Sequence, residues 1–257
     1  MKLRTMLNIG PDVLRWVVLV IVTSLGISAH ASPAAPPSAS DISATDTIEA
    51  RLARMQAASL EPDANVVVDI ATKEMMALIS EASVYAESEP ERFYQEVEKL
   101  LAPVVDFPRF ARSVMGVHYR RATPEQRERF SESFKWTLVR TYALSLMQFI
   151  DGTVRVVPNQ RPARRPDQAA VEMEIVYQDR PYQVIYAMQR KEEHWRLVNL
   201  LIEGINLRLN YRAQFDSAMK GPDHGRDLDR VIEAWTDFIA AEAQALAQAS
   251  PPVSEER

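Results

Sequence analysis

Along this chain the spacing of apolar residues changes period twice, and that change restricts the fold more than any other feature. From Thr47 to about Ile150 apolar side chains recur at helical intervals. From Thr153 to Ile202 they alternate, and after Gly204 the helical interval returns. The first spacing puts apolar groups on one side of a helix, and the second puts them on one face of a strand. Helices, then consecutive strands, then helices imply an α+β domain in which helices fold against an antiparallel sheet.

The boundaries follow from local signals. Helices are expected over Thr47–Ser59, Ala64–Glu87, Glu91–Leu101 behind Pro90, and Phe107–Met115. Thr123-Pro124-Glu125-Gln126 is a start signal: a capping hydroxyl, a proline at the first helical position and a glutamine that completes a capping box. The helix it opens can run to Ile150, before Asp151-Gly152, with Phe130, Phe134, Leu138, Tyr142 and Leu146 forming one apolar stripe. Strands are expected over Thr153–Val157, Val171–Tyr177, Tyr182–Gln189 and His194–Ile202. Turns at Gln178–Pro181 and Lys191–Glu193 make them a four-stranded meander. Asn206–Lys220 and Arg226–Gln248 read as helices. Only 7 glycines occur in 257 residues, which suits a mostly helical chain.

The N-terminus reads as an export signal. Lys2, Arg4 and Arg15 precede an apolar run from Trp16 to Leu25, and Ala29-His30-Ala31 fits a cleavage site before Ser32. The run is shorter than the roughly 20 residues of a membrane-spanning helix. Pro11 and Asp12 keep an uncleaved anchor as the second reading. Residues 1–31 are thus assigned as signal peptide, 32–44 as a disordered Pro/Ala/Ser linker, 45–249 as the folded domain and 250–257 as a polar tail. Cysteine is absent, which excludes disulfides, thiol catalysis and a lipoprotein anchor.

Few residues offer chemistry. Of the 4 histidines, His118, His194 and His224 lie far apart, and none has a second ligand at metal-binding spacing. There is no G-x-S-x-G elbow and no phosphate-cradling glycine loop. Glu172 and Glu174 share one strand face, as a catalytic pair or, more simply, as a solvated face. Two arginine clusters, Arg161/Arg164/Arg165 and Arg120/Arg121, fit either anionic groups such as lipid phosphates or plain solvation. A net charge of −5 argues against a nucleic-acid partner. No catalytic residue, metal or cofactor is assigned.

Three segments carry a resemblance. They are Val114-Met115-Gly116-Val117-His118-Tyr119-Arg120-Arg121-Ala122-Thr123-Pro124-Glu125-Gln126 with Phe130 and Phe134, then Trp195 to Leu207, then Asn210-Tyr211-Arg212-Ala213-Gln214-Phe215. Together they resemble the MlaC family, also called the toluene-tolerance or organic-solvent-tolerance auxiliary component of an ABC transport system. The resemblance covers roughly Asp69 to Ala247. It implies a periplasmic, non-enzymatic phospholipid carrier. The implied partners are an inner-membrane ABC transporter complex and an outer-membrane lipoprotein complex, and the implied role is to maintain outer-membrane lipid asymmetry. It also implies a sheet and helices around a deep apolar pocket. Two positions depart from the family: Asn199 stands where an aspartate is usual in W-x-x-x-D-x-x-x-E-G, and His118-Tyr119 replaces an aromatic pair. A related branch accompanies hopanoid synthesis, so a hopanoid is the alternative ligand.

A pocket for acyl chains needs shape-tolerant apolar walls with few polar anchors. The candidates are Phe130, Phe134, Leu138 and Tyr142 on the long helix, and Met173, Ile175, Val184, Tyr186, Leu197 and Leu201 on the strands. A one-residue error in register would turn a strand's set to the other face. Two competing readings are an envelope adaptor of the same fold with a filled core, and an exported hydrolase whose sign would be a histidine–carboxylate cluster.

Overall fold

The computed structural model describes residues 47–147, 152–157, 165–177, 180–222 and 226–237. The expected signal peptide, linker and polar tail lie outside these residues, as do His30, Arg161, Arg164, His224 and the ends of two expected helices.

Five helices come first: α1 (Ile48–Ala58), α2 (Ala64–Ala82), α3 (Pro90–Leu101), α4 (Phe107–Met115) and α5 (Pro124–Met147). Their starts are written in the sequence. Thr47 and Asp63 accept from Ala50 N and Asn65 N, and Asp106 accepts from Arg109 N at 3.0 Å. The capping box of α5 forms as its residues require: Thr123 Oγ1 accepts from Gln126 N at 3.2 Å, and Gln126 Oε1 accepts from Thr123 N at 3.0 Å. Each such cap contributes about 1 kcal/mol. α2 stops at Ala82, short of the expected Glu87. Between α4 and α5, Gly116–Arg120 forms a 3₁₀ turn. Gly116 has φ +55°, a conformation that favours glycine, and the Arg212 side chain lies against it.

The sheet is a meander, β1 (Thr153–Val157), β2 (Gln168–Tyr177), β3 (Arg180–Lys191) and β4 (His194–Ile202), each antiparallel to the next. A fifth strand of two residues, β5 (Ile205–Asn206), adds to the four expected. Glu203 and Gly204 both take positive φ, and this tight turn folds the chain straight back on β4. α6 (Leu207–Lys220) follows, and a last helix, α7, spans residues 228–237.

β4 is not regular. Ala187 pairs with Asn199, but Met188 pairs with Leu197, so Val198 is an extra residue in β4. A bulge of this kind reverses the alternation of all that follows. At the bulge β4 also bonds outward: Asp106 N donates to Leu197 O, and Leu197 N donates to Val104 O. That pairing covers an otherwise open strand edge.

Asn199 is buried, and its Oδ1 accepts from Arg208 N at 3.2 Å in the first turn of α6. Asn206 caps the next amide, that of Leu209, at 3.1 Å. The family's aspartate position is therefore a second N-cap for α6. Asn199→Ala is expected to cost about 1–2 kcal/mol, read as a lowered urea midpoint. Asn199→Asp, which keeps the acceptor, should lose less.

Two apolar clusters fill the domain. One lies between the inner sheet face, α2, α3 and the C-terminal half of α5. The other joins α4, α6, α7 and the N-terminal half of α5. Leu138 touches both, so the single stripe of α5 serves two interiors.

Candidate functional site

The register sorts the strand side chains unambiguously. Val154 faces Ile175, Val156 faces Met173, Met173 faces Val184, and Tyr186 faces both Val171 and Leu200. Opposed residues of an antiparallel pair point to the same face. These residues, with Leu197 and Ile202, form the inner face, where Ala71, Met75 and Met76 of α2 and Trp136, Leu138, Leu146 and Met147 of α5 join the same cluster.

Burial across this face is graded. Val171, Met173, Val184, Met188 and Trp195 are closed off, whereas Ile175, Tyr186, Leu197, Leu200, Ile202, Leu138 and Met75 keep part of their surface accessible. Tyr186 shows what this means. Burial alone pushes its phenol ionisation far above the ordinary tyrosine value, so protein surrounds it. Yet its side chain keeps accessible surface and no described residue hydrogen-bonds its hydroxyl. The face around it is made of aliphatic, aromatic and thioether groups, and methionines let such a face adapt to the shape of a guest.

The candidate residues divide among three environments. Met173, Ile175, Val184, Tyr186 and Leu197 share the inner face. Phe130 and Phe134 do not reach it. Both are fully buried in the second cluster, where Phe130 meets Phe215 at 4.7 Å and Trp235 at 5.5 Å between ring centroids. Tyr142 sits at the edge of that cluster, its hydroxyl 3.3 Å from that of Tyr211. Leu138 bridges the two. Leu201 points the other way: it pairs with Ile185 on the outer face, because the extra Val198 puts it out of phase with Leu197. Leu200 and Ile202 take the inward positions on either side of it. Their signal was present, since they alternate with Leu201, but alternation alone cannot say which set is inside.

Among the described residues, His118, His194 and Glu174 are each held by another partner. His118 Nε2 lies 3.0 Å from Asp216 Oδ1, and Asp216 also binds Lys220. The bond from Lys220, then that from His118, holds the Asp216 carboxyl below its usual range. No hydroxyl joins this pair. His194 Nδ1 lies 2.8 Å from Ser59 Oγ, which donates to Gln56 O, so the histidine must be the donor and cannot act as base toward Ser59. Ser59 is moreover only 1% exposed. Glu174 is bound by its cross-strand neighbour Arg155. Among the described residues no three acidic or histidine side chains converge as a metal site. A groove of about 540 Å³ lies elsewhere, between α5 and α7. Its lining mixes Glu125, Glu128, Glu132, Glu233 and Asp237 with Arg129 and Ile232, and covering those charges with an acyl chain would strip their hydration.

Comparison with known proteins bears on this arrangement. The sequence profile of the MlaC protein family matches residues 69–237. The chain belongs to the MlaC family. It is 33% identical to the toluene tolerance protein ttg2D of Pseudomonas putida, over 70% of this chain and 82% of that protein. A solved phospholipid-binding protein from Ralstonia solanacearum, in complex with a phospholipid, shares the fold with a TM-score of 0.61. That match is 24% identical in sequence and covers 72% of this chain and 99% of the other. The MlaC fold thus accounts for the sheet, the helices and their order.

Proposed function

We propose that this chain is a periplasmic carrier that lays the acyl chains of a phospholipid against the inner sheet face. It shuttles the lipid between an inner-membrane ABC transporter complex and an outer-membrane lipoprotein complex, and so maintains outer-membrane asymmetry. It works by binding and release, without covalent chemistry, and residues 1–31 direct its export. The observation that carries this reading is the deep yet accessible apolar face around Ile175, Tyr186, Leu200 and Ile202. The Ralstonia relative, which holds a phospholipid, supports it.

The energetics set the design. Two acyl chains carry on the order of 30 methylenes, and at ~0.8 kcal/mol each their exposure to water costs roughly 25 kcal/mol. A carrier must cover most of that surface and still let go, which favours broad apolar walls over directional bonds. A half-covered wall of this kind does both. The hopanoid alternative rested partly on Asn199. That residue caps α6 instead of lining the wall, so its change from aspartate does not speak to the ligand. The filled-core adaptor describes the aromatic cluster but not the inner face.

The test is lipid extraction and mass spectrometry of the protein purified from periplasm without detergent. About one phospholipid per chain is expected. A folded protein that carries no lipid and takes none from vesicles would establish the adaptor instead, and a bound hopanoid would name the other ligand.

A further inference from the structure

The cations of this chain fall into two populations. Those of α1, α3, α5 and β1 meet carboxylates: Arg51 and Arg54 bind Glu81 and Glu74, Arg92 binds Glu96, Lys135 binds Glu98, Arg140 binds Glu91, and Arg155 binds Glu174. On α4, the 3₁₀ turn and α6 the pattern reverses. Arg109, Arg112, Arg120, Arg121 and Arg212 are all exposed and make no ion pair. Arg208, one turn before Arg212, has a buried Nε with no hydrogen-bond partner. Of the acids of this sector, Asp106 caps α4 and Asp216 is engaged by His118 and Lys220.

Two of these side chains, Arg112 and Arg212, reach the 3₁₀ turn that carries Arg120. Arg212 packs on Gly116, and Arg112 lies 5.0 Å above the Tyr119 ring in the same turn. Arg109, Arg112 and Gly116 follow one another along a single face of α4. Amid them Val117 is 67% exposed, and Leu209, beside Arg212 on α6, is 52% exposed.

We propose that this sector is a docking surface for an anionic phospholipid bilayer. Guanidinium groups match phosphate oxygens in a bidentate geometry. A small apolar tip within a ring of arginines fits the boundary between headgroups and acyl chains. An acidic protein would offer a second rigid surface, against which the protruding Val117 gains nothing. A net charge of −5 disfavours indiscriminate adsorption to an anionic surface, so binding has to come from a local cationic sector such as this one. For its purpose the proposal rests on the carrier reading; for its geometry it does not.

The experiment is co-sedimentation of the purified protein with vesicles of phosphatidylglycerol mixed with phosphatidylcholine, against phosphatidylcholine alone. Binding is expected to the anionic vesicles only, and to disappear at high salt. The variant Arg112→Glu with Arg212→Glu should bind about 25-fold less or weaker still, at about fivefold per cation near the surface. Arg120→Glu with Arg121→Glu, in the exposed turn, tests the same claim without touching a packed helix. Val117→Asp should also bind less. Equal binding to neutral vesicles, or variants that bind like the wild type, would overturn the proposal. A wild type that ignores vesicles but binds an acidic protein would overturn it in favour of a protein partner. Co-purified lipid separates the two ideas: the charge variants should keep their lipid, and a wild type without lipid would sink the carrier reading while leaving the vesicle result to stand.

Discussion

Ile175→Glu is expected to empty the protein of lipid while leaving it folded. Ile175 sits on the inner face between Val154 and Tyr182 and keeps part of its surface accessible. In the empty protein a carboxylate there can stay hydrated, so folding survives. An acyl chain laid across it would strip that water, and an unpaired buried carboxylate costs at least several kcal/mol. Lipid recovered per chain should fall at least tenfold, since 1.4 kcal/mol is already a factor of ten. Leu201→Glu is the control. It lies between the inner residues Leu200 and Ile202 but faces outward beside Ile185, and it should keep its lipid. If both variants lose lipid equally, the face assignment fails. If neither does, the inner face is not the binding wall.

Phe134→Ala should do the opposite: destabilise strongly and leave lipid content per folded molecule unchanged. Phe134 is fully buried, with ring centroids 5.3 Å from Phe110, 5.8 Å from Phe130, 5.3 Å from Tyr211 and 6.4 Å from Trp235. Removing a ring from such a site costs about 3–5 kcal/mol, a large share of the 5–15 kcal/mol that holds a typical domain together. The loss should appear in urea unfolding as a lower midpoint at unchanged slope. Lipid lost in proportion to the folded fraction fits this account. Lipid lost from molecules that remain folded would place the aromatic cluster in the pocket after all.

These two expectations divide what the sequence shows from what it hides. The starts of the helices were legible because capping is local: Thr123 and Gln126 need only each other. The meander was legible because alternation and turn residues are local too. The partition of α5 was not. Phe130, Phe134, Leu138 and Tyr142 keep one period, and no spacing tells that the first two meet three other helices while the stripe's far end meets a sheet. Leu201 was lost for a related reason. The bulge exists because Leu197 bonds to Val104 and Asp106, about ninety residues earlier, and a period read along one strand carries no trace of a partner so distant. The inner-face assignment of Met173, Ile175, Val184 and Tyr186 fared better because β2 and β3 pair without interruption.

The extra residue in β4 acts like a frameshift in a two-letter code. Up to Leu197 odd-numbered residues of this strand read inward, and from Leu200 onward even-numbered ones do. Anyone aligning relatives by hydrophobic alternation must therefore open a gap opposite Val198, or every later position is transposed. The same rule holds at the bench. Deleting Val198 would remove the extra residue and leave Leu197, Asn199, Leu200, Leu201 and Ile202 in simple alternation with their present partners, whereas inserting a residue there instead would shift the frame again.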